Sequence, residues 1–184
     1  MSNTAFDSLL QELAQKDFLT YQHSIAVAEH MRNLAQALGM DEDGMQEAEI
    51  IGAIHDLGKI KIDTALFRRL QSGERLPAPD RARLRQSPEI LFELLNRDLL
   101  PLNVRKAIVH IDCRFDGRGQ PPLKGADIPL LARMLQVTNY YDAFIRQRPG
   151  KTPLSEEQSR QLLRAQAGKI FDPTIVTTFL GLLH

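Results

Sequence analysis

The string Ala53-Ile54-His55-Asp56-Leu57-Gly58-Lys59 holds the residues of this chain best suited to chemistry. An apolar helical run ends in adjacent His and Asp, both good ligands for a divalent metal. Neighbours on a helix point about 100° apart. A long imidazole and a short carboxylate still converge on an ion that sits beyond the helix end. Gly58 offers a turn off the helix, and Lys59 a fixed positive charge suited to an anionic substrate. An isolated His-Asp pair is more often a buried His and a capping Asp. The Gly and Lys that follow make this string more specific.

The elements that must position it are helical. Phe6 to Leu13 reads as a short amphipathic helix, and a long helix follows from Phe18 to Leu38, closed by Gly39. On that helix His23, Val27, His30, Met31, Leu34 and Leu38 share one face. Both histidines therefore lie on an apolar stripe, and His30 reads as a core histidine. Asp41 caps the next helix, which is expected to run to Leu57. Its end is so apolar that a buried, unpartnered His-Asp there would be costly. A metal or a hydrogen-bond network is required.

Further along, Ala65 to Leu70 is a short helical piece, Pro79-Asp80 opens a polar helix, and Ser87-Pro88-Glu89 starts an amphipathic one. Pro101 opens a helix expected to reach Asp112, with His110 near its end. Cys113 to Asp127 is a loop rich in Gly and Pro, and long structured loops are often functional. Asp127 is expected to cap a long helix from Ile128 to Gln147. Ser155 and Gln158 form a capping box for the next, closed by Gly168; Asp172 and Pro173 begin the last. No strand-like alternation occurs. The expectation is an all-α, single compact domain of seven to nine helices, with residues 1–17 as an N-terminal helical extension and 18–184 as the domain proper.

At 184 residues the chain has enough length for one domain with a real core. Its 43% hydrophobic and 25% charged content are those of an ordinary globular protein. Lys plus Arg balance Asp plus Glu at 23 each, which argues against a nucleic-acid binder working by bulk charge. The single cysteine, Cys113, excludes an internal disulfide and a cysteine zinc cage. No apolar run approaches a membrane span, and a cytoplasmic location is expected.

Several motifs in one order resemble the HD-GYP domain, a branch of the HD superfamily of metal-dependent phosphohydrolases. They are Tyr21-Gln22-His23-Ser24, His55-Asp56-Leu57-Gly58-Lys59, Ser87-Pro88-Glu89, and Arg114-Phe115-Asp116-Gly117-Arg118-Gly119-Gln120-Pro121. Asp127-Ile128-Pro129-Leu130, Asn139-Tyr140-Tyr141-Asp142-Ala143, Arg148-Pro149 and Gly168-Lys169-Ile170-Phe171-Asp172-Pro173 continue the series to residue 182. The resemblance implies an all-helical bacterial fold. Active members of that family hydrolyse cyclic di-GMP with two or three iron or manganese ions that activate a bridging water.

Carried over by residue, the resemblance makes His23, His55 and Asp56 metal ligands, with Asp56 and Lys59 as catalytic groups. It makes Lys59, Arg114, Asp116, Gly117 and Gly119 the ligand-binding set. Where the family has His-Pro-Glu this chain has Ser87-Pro88-Glu89, and where it has His-His-Glu this chain has Ile111-Asp112-Cys113. Gln120 replaces the signature Tyr, and Asn139 replaces a ligating Asp with an amide, a weaker ligand. Of the second-ion ligands only Asp112 offers an oxygen. The expectation is therefore at most one ion (iron, manganese or zinc), or none. The chain reads as a catalytically impaired HD-GYP domain acting as a binding or regulatory module in cyclic-dinucleotide signalling. It would bind a cyclic dinucleotide or other phosphate ligand and a signalling protein partner. The alternatives are an active mononuclear phosphohydrolase and a protein-interaction scaffold. Leu99 to Leu102 and Leu180 to Leu183 offer apolar surface for a homodimer, although core packing accounts for them equally.

Overall fold

The computed structural model describes residues 4–80, 87–95, 97–119, 122–147 and 152–183. Among them the regular structure is helical: α1 (Thr4–Lys16), α2 (Phe18–Ala37), α3 (Glu42–Ile54), α4 (Thr64–Gln71), α5 (Ser87–Leu95), α6 (Leu102–Ile108), α7 (Leu130–Ile145), α8 (Glu156–Gln166) and α9 (Pro173–Leu182). Three 3-10 turns, Leu57–Lys61, Arg97–Leu99 and Gly125–Asp127, join them. The polar helix expected after Pro79 begins at 78–80; its continuation over 81–86 lies outside the described residues.

Capping residues set several helix starts. Asp17 accepts from the Thr20 amide, Asp41 from Gly44, and Asp172 from Thr174 and Ile175. Ser155 and Gln158 form the expected reciprocal box. Three boundaries near the candidate site residues differ from the sequence reading. Helix α3 stops at Ile54, not Leu57, with His55 as its C-cap. The chain then tightens into the 3-10 turn that contains Gly58, so the departure from the helix is made at His55 and Asp56, not by a left-handed glycine. Helix α6 ends at Ile108, which leaves His110 in a turn, its Nδ1 bonded to the Lys106 carbonyl at 2.6 Å. Asp127 caps nothing; it closes a 3-10 turn, and Pro129 precedes α7.

Helix α2 is central, packing on α1, α3, α7 and α9. Its tightest neighbour is α3. A Cβ placed on Gly52 would fall 2.6 Å from the Ala28 Cα and 2.8 Å from its nitrogen. Only glycine lets the two backbones come this close. The main core includes Leu13, Met31, Leu34, Ile51, Ile54, Ile108, Met134, Phe171 and Phe179. Full burial of each such side chain contributes about 1.5–3 kcal/mol. Helix α1 belongs to this core through Phe6 and Leu13. At its end the Lys16 ammonium donates to the Ile60 and Ile62 carbonyls at 2.6 and 2.5 Å, which ties α1 to the segment that follows the His-Asp pair. Ile62, Leu66 and Leu76 form a separate small cluster around α4.

Candidate metal and ligand site

The close passage of α2 over α3 brings His23 and His55 face to edge, with ring centroids 5.3 Å apart. Asp56, the first residue past the α3 cap, completes the group. The Nε2 atoms of His23 and His55 lie 3.8 and 3.7 Å from Asp56 Oδ2. Among the described residues these three form a group whose ligand atoms all lie within 4.8 Å of one another, close enough to hold a metal ion.

Both rings are oriented from behind. His55 Nδ1 lies 2.7 Å from the Gly52 carbonyl. A carbonyl oxygen only accepts, so Nδ1 carries the proton and Nε2 presents a lone pair. That Nε2 is buried and has no hydrogen-bond partner. Burial, only partly opposed by Asp56, pushes the His55 pKa down to about 4, so the ring is neutral near pH 7. His23 Nδ1 lies 2.6 Å from Asp142 Oδ2. Arg146 forks onto the same carboxylate at 2.7 Å from both Nε and Nη2. Burial works against the Asp142 charge, yet the Arg146 and His23 hydrogen bonds bring its pKa down to about 2. An ionised carboxylate only accepts, so His23 Nδ1 carries a proton and its Nε2 faces Asp56. Burial likewise opposes ionisation of Asp56, but Lys59 and the two rings hold it well below the usual carboxylate range. The Lys59 ammonium bonds directly to Asp56 Oδ2.

Two imidazoles each oriented through Nδ1 and one ionised carboxylate, with an orphaned buried nitrogen among them, are a donor set that fits one divalent cation. Asp142 and Arg146, absent from the site residues expected from sequence, complete it. Their sequence signal was an acid and a base four residues apart at the end of a helix, which names a local pair and not a partner 119 positions away.

Asn139 is half-buried and lines a cavity of about 250 Å³ together with Ile111, Asp112, Arg114, Leu135 and Tyr140. Asp112 faces this cavity and does not join the His-His-Asp group. Arg114 and Asp116 fork onto each other at 3.1 and 2.7 Å, and the Asp116 carboxylate also accepts from the Arg118 amide. This loop is fastened to the turn before α9 by amides of Phe115 and Asp116 on the carbonyls of Ile170 and Lys169. Gly117 adopts a φ of 79°. A Cβ on Gly119 would lie 2.4 Å from the Arg114 nitrogen. Both glycines thus have a backbone reason to be there. Arg118 is exposed. His30 is half-buried, its ring edge-on to Tyr141 and Phe179 at 5.8 and 5.4 Å, the core role expected of it. Gln120 and Pro121 lie outside the described residues, and of Ser87 only the backbone at the start of α5 is described.

The fold is thus a helical bundle that carries His23 on one helix and the adjacent His55-Asp56 pair at the end of its neighbour. The chain belongs to the HD domain family, whose model matches residues 7–175. It is 30% identical over 171 residues to a cyclic di-GMP phosphodiesterase of Thermotoga maritima, covering 91% of this chain and 45% of that protein. It is 32% identical over 151 residues to the cyclic di-GMP phosphodiesterase response regulator RpfG of Xanthomonas campestris, covering 80% and 39%. A 3'3'-cGAMP-specific phosphodiesterase 2 of Vibrio cholerae is 31% identical over 165 residues, covering 88% and 31%. The chain spans less than half the length of each of these relatives. Two solved structures share the fold. A cyclic GMP-AMP specific phosphodiesterase of V. cholerae superposes with a TM-score of 0.66 at 18% identity, covering 97% of this chain and 47% of that one. The HD domain of the Listeria monocytogenes phosphodiesterase PgpH gives 0.58 at 15%, covering 96% and 99%. The resemblance read from the motifs and the all-α expectation both hold. Among the described residues no helix is long and apolar enough to cross a membrane.

Proposed function

We propose that this domain holds one divalent ion on His23, His55 and Asp56 and binds a cyclic dinucleotide or related phosphate ligand beside it, with hydrolysis weak or absent. It would serve as a regulatory module in second-messenger signalling. The observation that carries the reading is the buried, proton-free Nε2 of His55, aimed at Asp56 and otherwise unbonded. An imidazole left so in a folded interior calls for a hydrogen-bond donor or a metal ion. When bound, a divalent ion supplies charge for a phosphate oxygen and acidifies a coordinated water.

The protein groups around it divide the remaining work. Asp56 contributes the negative ligand. Lys59 keeps that carboxylate ionised and, with three N–H donors of which one is spent on Asp56, faces a phosphate as well. Arg114 is the second proposed phosphate contact, positioned by its fork with Asp116; Gly117 and Gly119 shape the loop. Impairment follows from the ligands. Asn139 supplies a neutral amide, a weak ligand at best. Among the described residues no second group of three His, Cys, Asp or Glu side chains converges.

The second reading, an active mononuclear phosphohydrolase, is favoured by how completely the two imidazoles are already oriented. Metal content of protein purified without air or chelator tests the first half: one ion per chain, lost in His55→Ala, is expected. Turnover of cyclic di-GMP by the manganese-loaded protein decides the rest. Binding without turnover supports the regulatory module, and metal-dependent turnover supports the enzyme. Absence of metal and of ligand would overturn both and leave protein contact as the role.

A further inference from the structure

Asp142 and Asp56 stand on either side of His23, and each carries a positive counter-charge of a different kind. Asp142 has a guanidinium: Arg146 forks onto both its oxygens, a two-point grip from within one helix. Asp56 has an ammonium: Lys59 bonds its Oδ2 through a flexible four-carbon stem. The backbone beneath that stem is fixed, because the Lys59 amide donates to the Asp56 carbonyl at 3.0 Å in the 3-10 turn. Oδ2 is also the oxygen toward which His23 and His55 Nε2 converge, at 3.8 and 3.7 Å. The ammonium thus stands on the carboxylate oxygen at the centre of the group, yet leaves the buried His55 Nε2 without a partner. The Lys59 side chain is 22% exposed, which gives its head a path to water that needs no backbone movement.

We propose that Lys59 is a displaceable counter-ion, holding Asp56 Oδ2 until a divalent cation takes that oxygen and then turning to an anion, so that cation and anion load the site together. The proposal rests on the reading of His23, His55 and Asp56 as an ion site and names how that site is regulated. An ammonium and a divalent ion are like charges, and crowding both onto one oxygen of a largely enclosed carboxylate is unfavourable. While Lys59 stays, it competes with the ion. Once it swings off, two positive charges stand side by side and attract an oxyanion that neither holds as well alone. Such coupling is reciprocal: an anion that draws Lys59 from Asp56 raises ion affinity by the same factor by which the ion raises anion affinity. Arg146 makes no such exchange, since leaving Asp142 would break two bonds at once. Asp142 therefore goes on orienting His23 while Asp56 changes its counter-charge.

The test is titration of manganese against a fluorescent chelator that reports the free ion, with and without inorganic phosphate. Phosphate is expected to tighten manganese binding to the native protein by roughly 5- to 150-fold, the usual span of coupling between two sites. Lys59→Met removes the competitor. Without phosphate it should bind manganese tighter than the native protein by a factor in that same span, and the phosphate effect should shrink. Lys61→Met removes an exposed charge two residues on and should shift affinity by no more than about twofold, because that charge is screened. A second readout needs no substitution: trace acetylation of the native protein with acetic anhydride, located by mass spectrometry. Labelling at Lys59 relative to Lys61 should rise severalfold when manganese saturates the site and fall again when phosphate is added. Circular dichroism checks the fold of Lys59→Met, and should that variant not fold, labelling decides alone. Unchanged labelling of Lys59, or phosphate-free manganese binding to a folded Lys59→Met no tighter than to the native protein, overturns the proposal. Its failure is distinguishable from failure of the ion site: one manganese per chain with Lys59 indifferent removes the exchange alone. No manganese on either protein, with or without phosphate, removes both.

Discussion

Asp142 receives His23 on one side and the Arg146 fork on the other, and so fixes which nitrogen His23 shows to Asp56. Losing such an orienting partner typically costs 10–100-fold in metal affinity. Asp142→Asn should therefore weaken manganese or zinc binding by about that factor, read by competition with a fluorescent chelator, while the helical spectrum stays intact. Asn139→Asp should move affinity the other way if the amide is the defect proposed. The pH behaviour of His55 follows from its lowered pKa. The unfolded chain binds the proton near pH 6.5 and the folded one only near pH 4. Metal-free protein should thus lose stability as pH falls from 6.5 to 4, by about 1.4 kcal/mol per pH unit from this group. His30, lowered mainly by burial, acts with the same sign. Denaturant titrations at pH 7 and 5 should show the drop, and His55→Ala should flatten it. His55, Asp56 and Lys59 were legible in sequence because their types and adjacency carry the chemistry. Asp142 was not, because a helical Asp-Arg pair looks the same whether or not it faces a distant histidine.

At the level of elements, Gly52 has two tasks. Its missing side chain sets the α2–α3 distance, and its carbonyl holds His55. Gly52→Ala puts a methyl into the Ala28 backbone, an overpacking that costs about 1–3 kcal/mol. A fall in Tm of several degrees is expected by calorimetry, with weaker metal binding because the two histidines part. The Lys16 latch is the second element-scale test. Lys16→Met removes both bonds to the Ile60 and Ile62 carbonyls and should speed amide hydrogen exchange through 57–62 before any other segment. Helix starts were readable because Asp41, Ser155 and Asp172 announce them chemically. The ends of α3 and α6 were not, since no Gly or Pro marks them and tertiary packing chose the last turn. Gly52 left a fainter sign, a glycine amid Ile51, Ala53 and Ile54, the usual trace of a close backbone approach.

For the molecule as a whole, a bound ion should raise Tm with concentration. At 100 times Kd the gain is about 2.7 kcal/mol, or roughly 5–11 °C for a chain of this length, and His55→Ala should abolish it. The His23–Asp142 bond joins residues 119 positions apart. A ribosome that has passed Asp56 has already made all three proposed ligands, yet the carboxylate that orients the first lies far ahead in the message. Closing so long a loop is slow, so the ion has no finished socket early in folding. The proposed ion would arrive as a late lock, and metal loading would report that synthesis has run past α7.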